Sequence, residues 1–339
     1  MALLFTDSFD HYATADITRK WTSVGGSAAI GAVGRNSTSG LTCNGANRYV
    51  TKSFTAAATV IVGFAFKSSA ITTTTGSGSF LQFYEGGTLQ VYFRFNGSGF
   101  IEALRGNGTI LGTSGNALSS DTYYYLEFKV KFDDTTGTID IQLNGASTLA
   151  LSGIDTNNGG TSTATSFLMG YANSGIGATP GYSFDDVYLA NTSGSVNNDF
   201  LGPVRVVAVL PDGAGNSADF TPSAGSNYQN VDETSQDGDT TYNSETTPGD
   251  HDTYTFGALG VTGTVKGVQT NLMVRSDGAG AETVRPKIRI ATTDYSGTTV
   301  GVTTSYADSL EIFETSPATA TAWTVTEIDG AEFGIELVS

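Results

Sequence analysis

Apolar and polar residues alternate at every second position through much of the first two hundred residues, which is the pattern of half-buried strands. In 124–143, Tyr124, Leu126, Phe128, Val130 and Phe132 alternate with Glu127, Lys129 and Lys131. An Asp-Asp-Thr-Thr-Gly turn then leads into Ile139, Ile141 and Leu143. One face of this hairpin is set for burial and the other for water. The stretch 81–95 follows the same plan, with Leu81 and Phe83 on one parity, a Glu-Gly-Gly turn, then Leu89, Val91, Phe93 and Phe95. Further on, 204–210 (VRVVAVL) reads as a buried strand, while 211–253 reads as a polar, acidic surface excursion with little core of its own. Strand signals return at 252–259, 265–276, 285–292 and 306–315. The one predicted helix lies near the end: Thr324 as N-cap, Glu327 three residues on, Trp323 and Ile328 as a staple, and Gly334 as the stop.

Asn, Ser and Gly cluster before Pro203, which marks a boundary. The expected organisation is a first domain over 1–192, a linker over 193–203 and a second, smaller β-sandwich over 204–339. Composition agrees with an all-β fold: 43 glycines, only 14% charged residues and no fixed-period repeat. Charge separates the halves, since residues 1–202 carry 14 acids against 10 bases while 203–339 carry 19 against 6. The total of −17 argues against nucleic acid, whose binding rests on Lys and Arg neutralising phosphates. No apolar run approaches the length of a membrane span, and the opening MALLFTDSFD lacks a basic start, so neither membrane insertion nor a secretion signal is expected. Cys43 stands alone, so no internal disulfide can form, and folding in a reducing compartment is expected.

Two histidines, His11 and His251, leave little for a Ser-His-Asp arrangement or a zinc site, and no Gly-x-Ser-x-Gly elbow is present. His251, between Asp250 and Asp252, is expected to be a solvated loop residue. Aromatic rings on strand surfaces can stack on sugars, and Tyr84, Tyr92 and Tyr124 are the candidates for carbohydrate binding.

The opening FTDSFDHY, Trp21, the hairpin YYYLEFKVKFDDTTGTIDIQLNG and the closing YSFDDVYLA resemble the concanavalin A-like (laminin-G-like, pentraxin-like) jelly rolls that recur in bacteriophage structural proteins. The second half, with NYQNVDE, DTTYNSETTPGDHDTYTF, NLMVRSDGAG and SPATATAWTVTEIDGAEFGIEL, is similar to a module found behind such jelly rolls. The resemblance implies an N-terminal jelly roll whose first and last strands pair. It also implies a non-enzymatic virion structural protein, tail-associated or on the capsid surface. Such a protein would be assembled in the host cytoplasm and exposed on the particle. Its expected partners are other virion proteins, a host surface glycan and copies of itself, a trimer being favoured. No cofactor is required on this view, but jelly rolls of this kind often hold calcium, and Asp7, Asp10, Asp185 and Asp186 are the ligand candidates where the terminal strands meet. The alternative is a glycan hydrolase of laminarinase type on the same scaffold, for which Glu327, Asp329 and Glu332 in EIDGAE would supply the carboxylates. In the structural reading Glu327 is a helix cap and catalysis is absent.

Overall fold

A computed structural model describes residues 2–36, 38–71, 78–171, 181–278 and 280–339. The chain divides into two compact units, one of residues 1–10 with 20–206 and one of residues 11–19 with 207–339. The segment 11–19, expected in the first domain, thus belongs to the second. There Asn271 meets His11 at 3.2 Å and Arg19 donates to Gln236 at 2.7 Å.

Among the described residues, the first unit is a sandwich of fifteen strands. They are β1 (Leu3–Asp7), β2 (Ser23–Gly25), β3 (Ala29–Gly31), β4 (Gly40–Asn44), β5 (Arg48–Ala57), β6 (Thr59–Ser68), β7 (Leu81–Glu85) and β8 (Thr88–Phe95). There follow β9 (Phe100–Arg105), β10 (Ile110–Ala117), β11 (Tyr124–Lys131), β12 (Gly137–Leu143), β13 (Ala146–Ile154), β14 (Ala164–Tyr171) and β15 (Gly181–Asn191). One sheet runs β13-β12-β11-β6-β15-β4-β3, with β1 also on β15, and the other runs β10-β9-β8-β7-β14-β5-β2. The first and last strands pair antiparallel, Phe5 opposite Leu189 and Asp7 opposite Val187. Both hairpins read from the alternation form, β7 with β8 and β11 with β12.

The inward positions close one core. Phe93 of one sheet and Phe80, just before β7, meet Phe128 and Phe66 of the other, at ring distances of 4.6 Å for Phe93–Phe128 and 5.3 Å for Phe66–Phe80. These rings are fully buried, and each such side chain contributes roughly 1.5–3 kcal/mol of burial free energy. Trp21 packs against Phe5 and Phe167 and is anchored by Asp7, whose carboxylate accepts from the indole Nε1 at 2.7 Å.

The second unit holds β16 (Pro211–Ala218), β17 (Thr221–Pro222), β18 (Asn243–Ser244), β19 (His251–Phe256), β20 (Val268–Val274), β21 (Thr283–Ile290), β22 (Thr293–Ser296), β23 (Val300–Gly301), β24 (Ala307–Phe313) and β25 (Glu332–Leu337). Its main sheet is β16-β19-β25-β21-β22, with β23 also on β21. The β20–β24 ribbon packs Val268 and Phe313 against Ile288, Trp323 and Ile328. Short helices form at α1 (Ile17–Lys20) and α2 (Val325–Asp329).

Three expectations are corrected. Residues 204–210 form no strand, because their polar main chain is taken up elsewhere: the Val206 amide donates to Asp186 at 2.8 Å and the Val204 carbonyl accepts from Arg35 at 2.5 Å. The excursion 211–253 does build core, with Phe220 packed on Val284 and Leu337. Asp252 is buried there under donors from Phe220 N, Asn227 and Tyr254. Helix α2 starts as predicted, with Thr324 Oγ1 accepting from the Glu327 amide at 3.1 Å, but its C-cap is Gly330 and not Gly334. Gly334 lies in β25, where an added Cβ would fall 1.8 Å from the Asp252 carbonyl oxygen. A side chain there is sterically excluded by the neighbouring strand.

Candidate functional site

The two sheets of the first unit differ in what covers their outer faces. On the β11-β6-β15 side, the chain's own segment 199–206 lies across the sheet. Glu127 is fully buried there, accepting from Tyr188 Oη at 2.6 Å and from the Gly202 amide at 2.9 Å. Tyr188 fits because its ring occupies the space a Cβ at Gly63 would need. Burial raises the Glu127 carboxyl above its usual range. Around Glu127 this face is covered by the chain's own segment, while Lys129 and Lys131 further along β11 stay partly exposed.

The opposite sheet turns a different set of side chains outward. Leu81, Phe83, Val91, Phe93, Phe167, Met169 and Val50 point into the core, so the residues between them point away. Cross-strand register then aligns the outward positions. Leu104, Tyr92, Gln82, Leu168 and Thr51 form one row across β9-β8-β7-β14-β5. Glu102 and Arg94 stand opposite each other in the next row, as do Gly170 and Tyr49. On the other side of the first row, Tyr84 stands opposite Ser166.

Tyr49, Tyr84 and Tyr92 are half-buried, presenting ring surface and hydroxyl together. The Tyr49 ring lies over Gly25, in space that a Cβ there would fill. The Tyr84 hydroxyl donates to Gln82 Oε1, and the Gln82 amide donates to Ser79. Burial, and then the neighbouring Tyr49 phenol, raise the Tyr84 pKa, so it stays a proton donor. Arg94 Nε donates to Glu102 Oε2 at 2.9 Å. The face therefore offers flat rings and hydroxyl groups, with the Gln82 amide buried beneath them and bonded at both ends, and one charged pair that is locally neutral.

Of the three tyrosines singled out in the sequence, Tyr84 and Tyr92 share this face. Tyr124 does not join them: it lies on β11, opposite Phe66, and its hydroxyl accepts from the Ser119 amide at 3.0 Å. Tyr49, Gln82, Arg94 and Glu102 were not singled out. The alternation of β8 could have pointed to Arg94, because it shares the parity of Tyr92.

The four calcium candidates are held by protein donors. Asp7 accepts from Trp21, from Phe9 N and from the buried Lys20 ammonium at 3.1 Å. Asp10 accepts from the Ser39 amide at 2.8 Å. Asp185 accepts from the Arg35 and Asp186 amides, and Asp186 pairs with the Arg35 guanidinium at 2.7 Å. Among the described residues no group of three or more His, Cys, Asp or Glu side chains is placed to hold a metal ion. Glu327, Asp329 and Glu332 lie in the second unit with separate partners: Ser316 Oγ at 2.5 Å, the Leu259 amide at 2.9 Å, and Thr253 Oγ1 at 2.6 Å. A polar recess of about 400 Å3 on the first unit is lined by Asn44, Lys67, Ser69, Asp121, Gly181 and Ser183. Among the described residues its lining holds no aromatic ring.

No family model matches the chain. No curated protein matches it. Solved structures do resemble it. The alginate lyase Aly36B is 13% identical, covering 55% of this chain and 96% of its own, with a TM-score of 0.43. Domain 4 of AbnA, a GH43 extracellular arabinanase from Geobacillus stearothermophilus, in complex with arabinotriose, is 14% identical, covering 56% of this chain and 92% of its own, with a TM-score of 0.37. A sialidase is 12% identical, covering 57% of this chain but 19% of its own, with a TM-score of 0.40. These matches are glycan-processing proteins with β-sandwich domains, and they correct the expectation of a non-enzymatic virion structural protein on the tail or capsid. Their substrates do not transfer to this chain at such identities, and the functional argument rests on its own residues.

Proposed function

We propose that this chain is a carbohydrate-active protein that takes a glycan across the outer face of β9-β8-β7-β14-β5. The observation that supports this most is the grouping of Tyr49, Tyr84 and Tyr92 with Gln82 and the Arg94–Glu102 pair on that face. A tyrosine ring gives the C–H face of a sugar a flat apolar surface, and its hydroxyl gives the sugar a hydrogen-bond partner, at little conformational cost. Five strands span about 19 Å between the outer two, enough for an oligosaccharide to lie across them. Leu168 and Leu104, outward yet buried, supply a dry floor between the polar groups. Glu102 is the carboxylate on this face from which acid–base chemistry on a bound chain would start, and Tyr84 is a phenol that retains its proton.

The test combines binding with product analysis on the full chain. Gels cast with dextran, arabinan, xylan, hydroxyethyl cellulose, alginate or polygalacturonate should retard the protein in at least one case, and chromatography of the incubated polymer reads cleavage. Tyr92→Ala should weaken the retardation by about tenfold or more. Unretarded protein and unchanged polymer across the panel contradict the proposal.

A further inference from the structure

Arg94 stands on β8 beside the central row of the glycan face, and its charge is already matched. Its Nε donates to Glu102 Oε2 at 2.9 Å, and the two side chains are only 23% and 13% exposed. The neighbouring outward positions, Tyr49, Gln82, Tyr84, Tyr92, Ser166 and Leu168, are uncharged. Lys52 of β5 has the parity of Val50 and turns to the opposite side, where its ammonium donates to the Lys20 carbonyl at 2.6 Å.

Resting on the function proposed above, we infer that the ligand of this face is a neutral glycan, recognised through its hydroxyls, and not a uronate, sulfated or sialylated chain. The Arg94–Glu102 pair presents N–H donors beside a carboxylate acceptor. Two adjacent sugar hydroxyls, each able to donate and accept, satisfy both at once. A carboxylate or sulfate on the sugar would have to displace Glu102 from Arg94 or lie against a like charge. The chain's net charge of −17 also opposes the approach of a polyanion.

The experiment compares the full-length protein with its Glu102→Gln variant in gels containing neutral polymers (xylan, arabinan, dextran, hydroxyethyl cellulose) or acidic ones (alginate, polygalacturonate), at low and high salt. The wild type should be retarded by a neutral polymer to the same degree at both salt levels, and by neither acidic polymer. Glu102→Gln uncovers the Arg94 charge and should gain about tenfold or more in affinity for an acidic polymer, a gain that high salt removes. Salt-sensitive retardation of the wild type by alginate or polygalacturonate overturns the neutral-ligand inference while leaving the glycan face standing. Retardation of neither protein by any polymer overturns the face as a glycan site, and the inference with it. The wild-type comparison decides the matter even where the variant folds poorly.

Discussion

Raising the pH from about 5 to about 7.5 should weaken the first unit, and Asp185 is the main reason. Its side chain is 1% exposed, and its carboxyl is pushed up to about 7, by burial first and by the adjacent Asp186 charge second. The Arg35 and Asp186 amides that donate to it pull the other way without prevailing. An unfolded carboxyl near 3.8 has lost its proton across this window, whereas the folded one keeps it until the pH reaches about 7. The folded state thus binds more protons between about pH 4 and 7, and stability falls as pH rises through that range. Moving one carboxyl from 3.8 to about 7 is worth about 4 kcal/mol over its whole titration, of which about 2.5 kcal/mol falls between about pH 5 and about pH 7.5. Glu127, Asp186 and Asp10 are raised by burial as well and act in the same direction. Glu336 works oppositely: Arg285 and Lys287 hold its carboxyl down at about 2 against the opposing effect of burial. Its contribution is present above its unfolded value of 4.5 and is lost only as pH falls towards 2. Urea unfolding read through Trp21 in a Trp323→Phe background isolates the first unit. The midpoint should be higher at about pH 5 than at about pH 7.5, and Asp185→Asn should remove most of the difference. A wild-type midpoint that stays level or rises with pH, or a difference that survives in the variant, refutes this reasoning.

Asp7→Ala should destabilise the first unit by about 3–5 kcal/mol, because it strips the carboxylate from the buried Lys20 ammonium and from the Trp21 indole; the same urea assay reads it. Gly334→Ala should cost the second unit about 3 kcal/mol, since the new Cβ would fall 1.8 Å from the Asp252 carbonyl oxygen; unfolding followed through Trp323 measures this. Gly330→Ala at the end of α2 has 3.4 Å to the nearest atom and should cost under about 1 kcal/mol, so an equal loss at the two sites would refute the steric argument.

The hairpins were legible because a period of two survives any tertiary context. Leu81 to Phe95 and Tyr124 to Leu143 fold as their alternation dictates. The Thr324 cap was legible for a similar reason, since it is satisfied within its own turn. What escaped depends on partners far away in sequence. The valines of 204–210 look like a strand, yet their segment is held by Arg35 and Asp186. Asp252 looks like a surface residue, yet Phe220 N, Asn227 and Tyr254 satisfy it in the interior. The Arg94–Glu102 pair requires the register of β8 on β9, and the nearness of Tyr49 requires β5 to lie beside β14. The second pairing is not written in local sequence, whereas the first closes a hairpin between residues only eight apart. The separation of Tyr124 from the other two tyrosines was legible, because it shares the parity of Leu126 and Phe128.

Hydrogen exchange of the chain, with and without the neutral polysaccharide that retards it in a gel, reads strand by strand where the glycan lies. Adding the polymer should slow exchange in β7, β8, β9 and β14 and leave β11 and β12 of the opposite sheet unchanged. Protection confined to the opposite sheet or to the second unit would contradict the proposed glycan face.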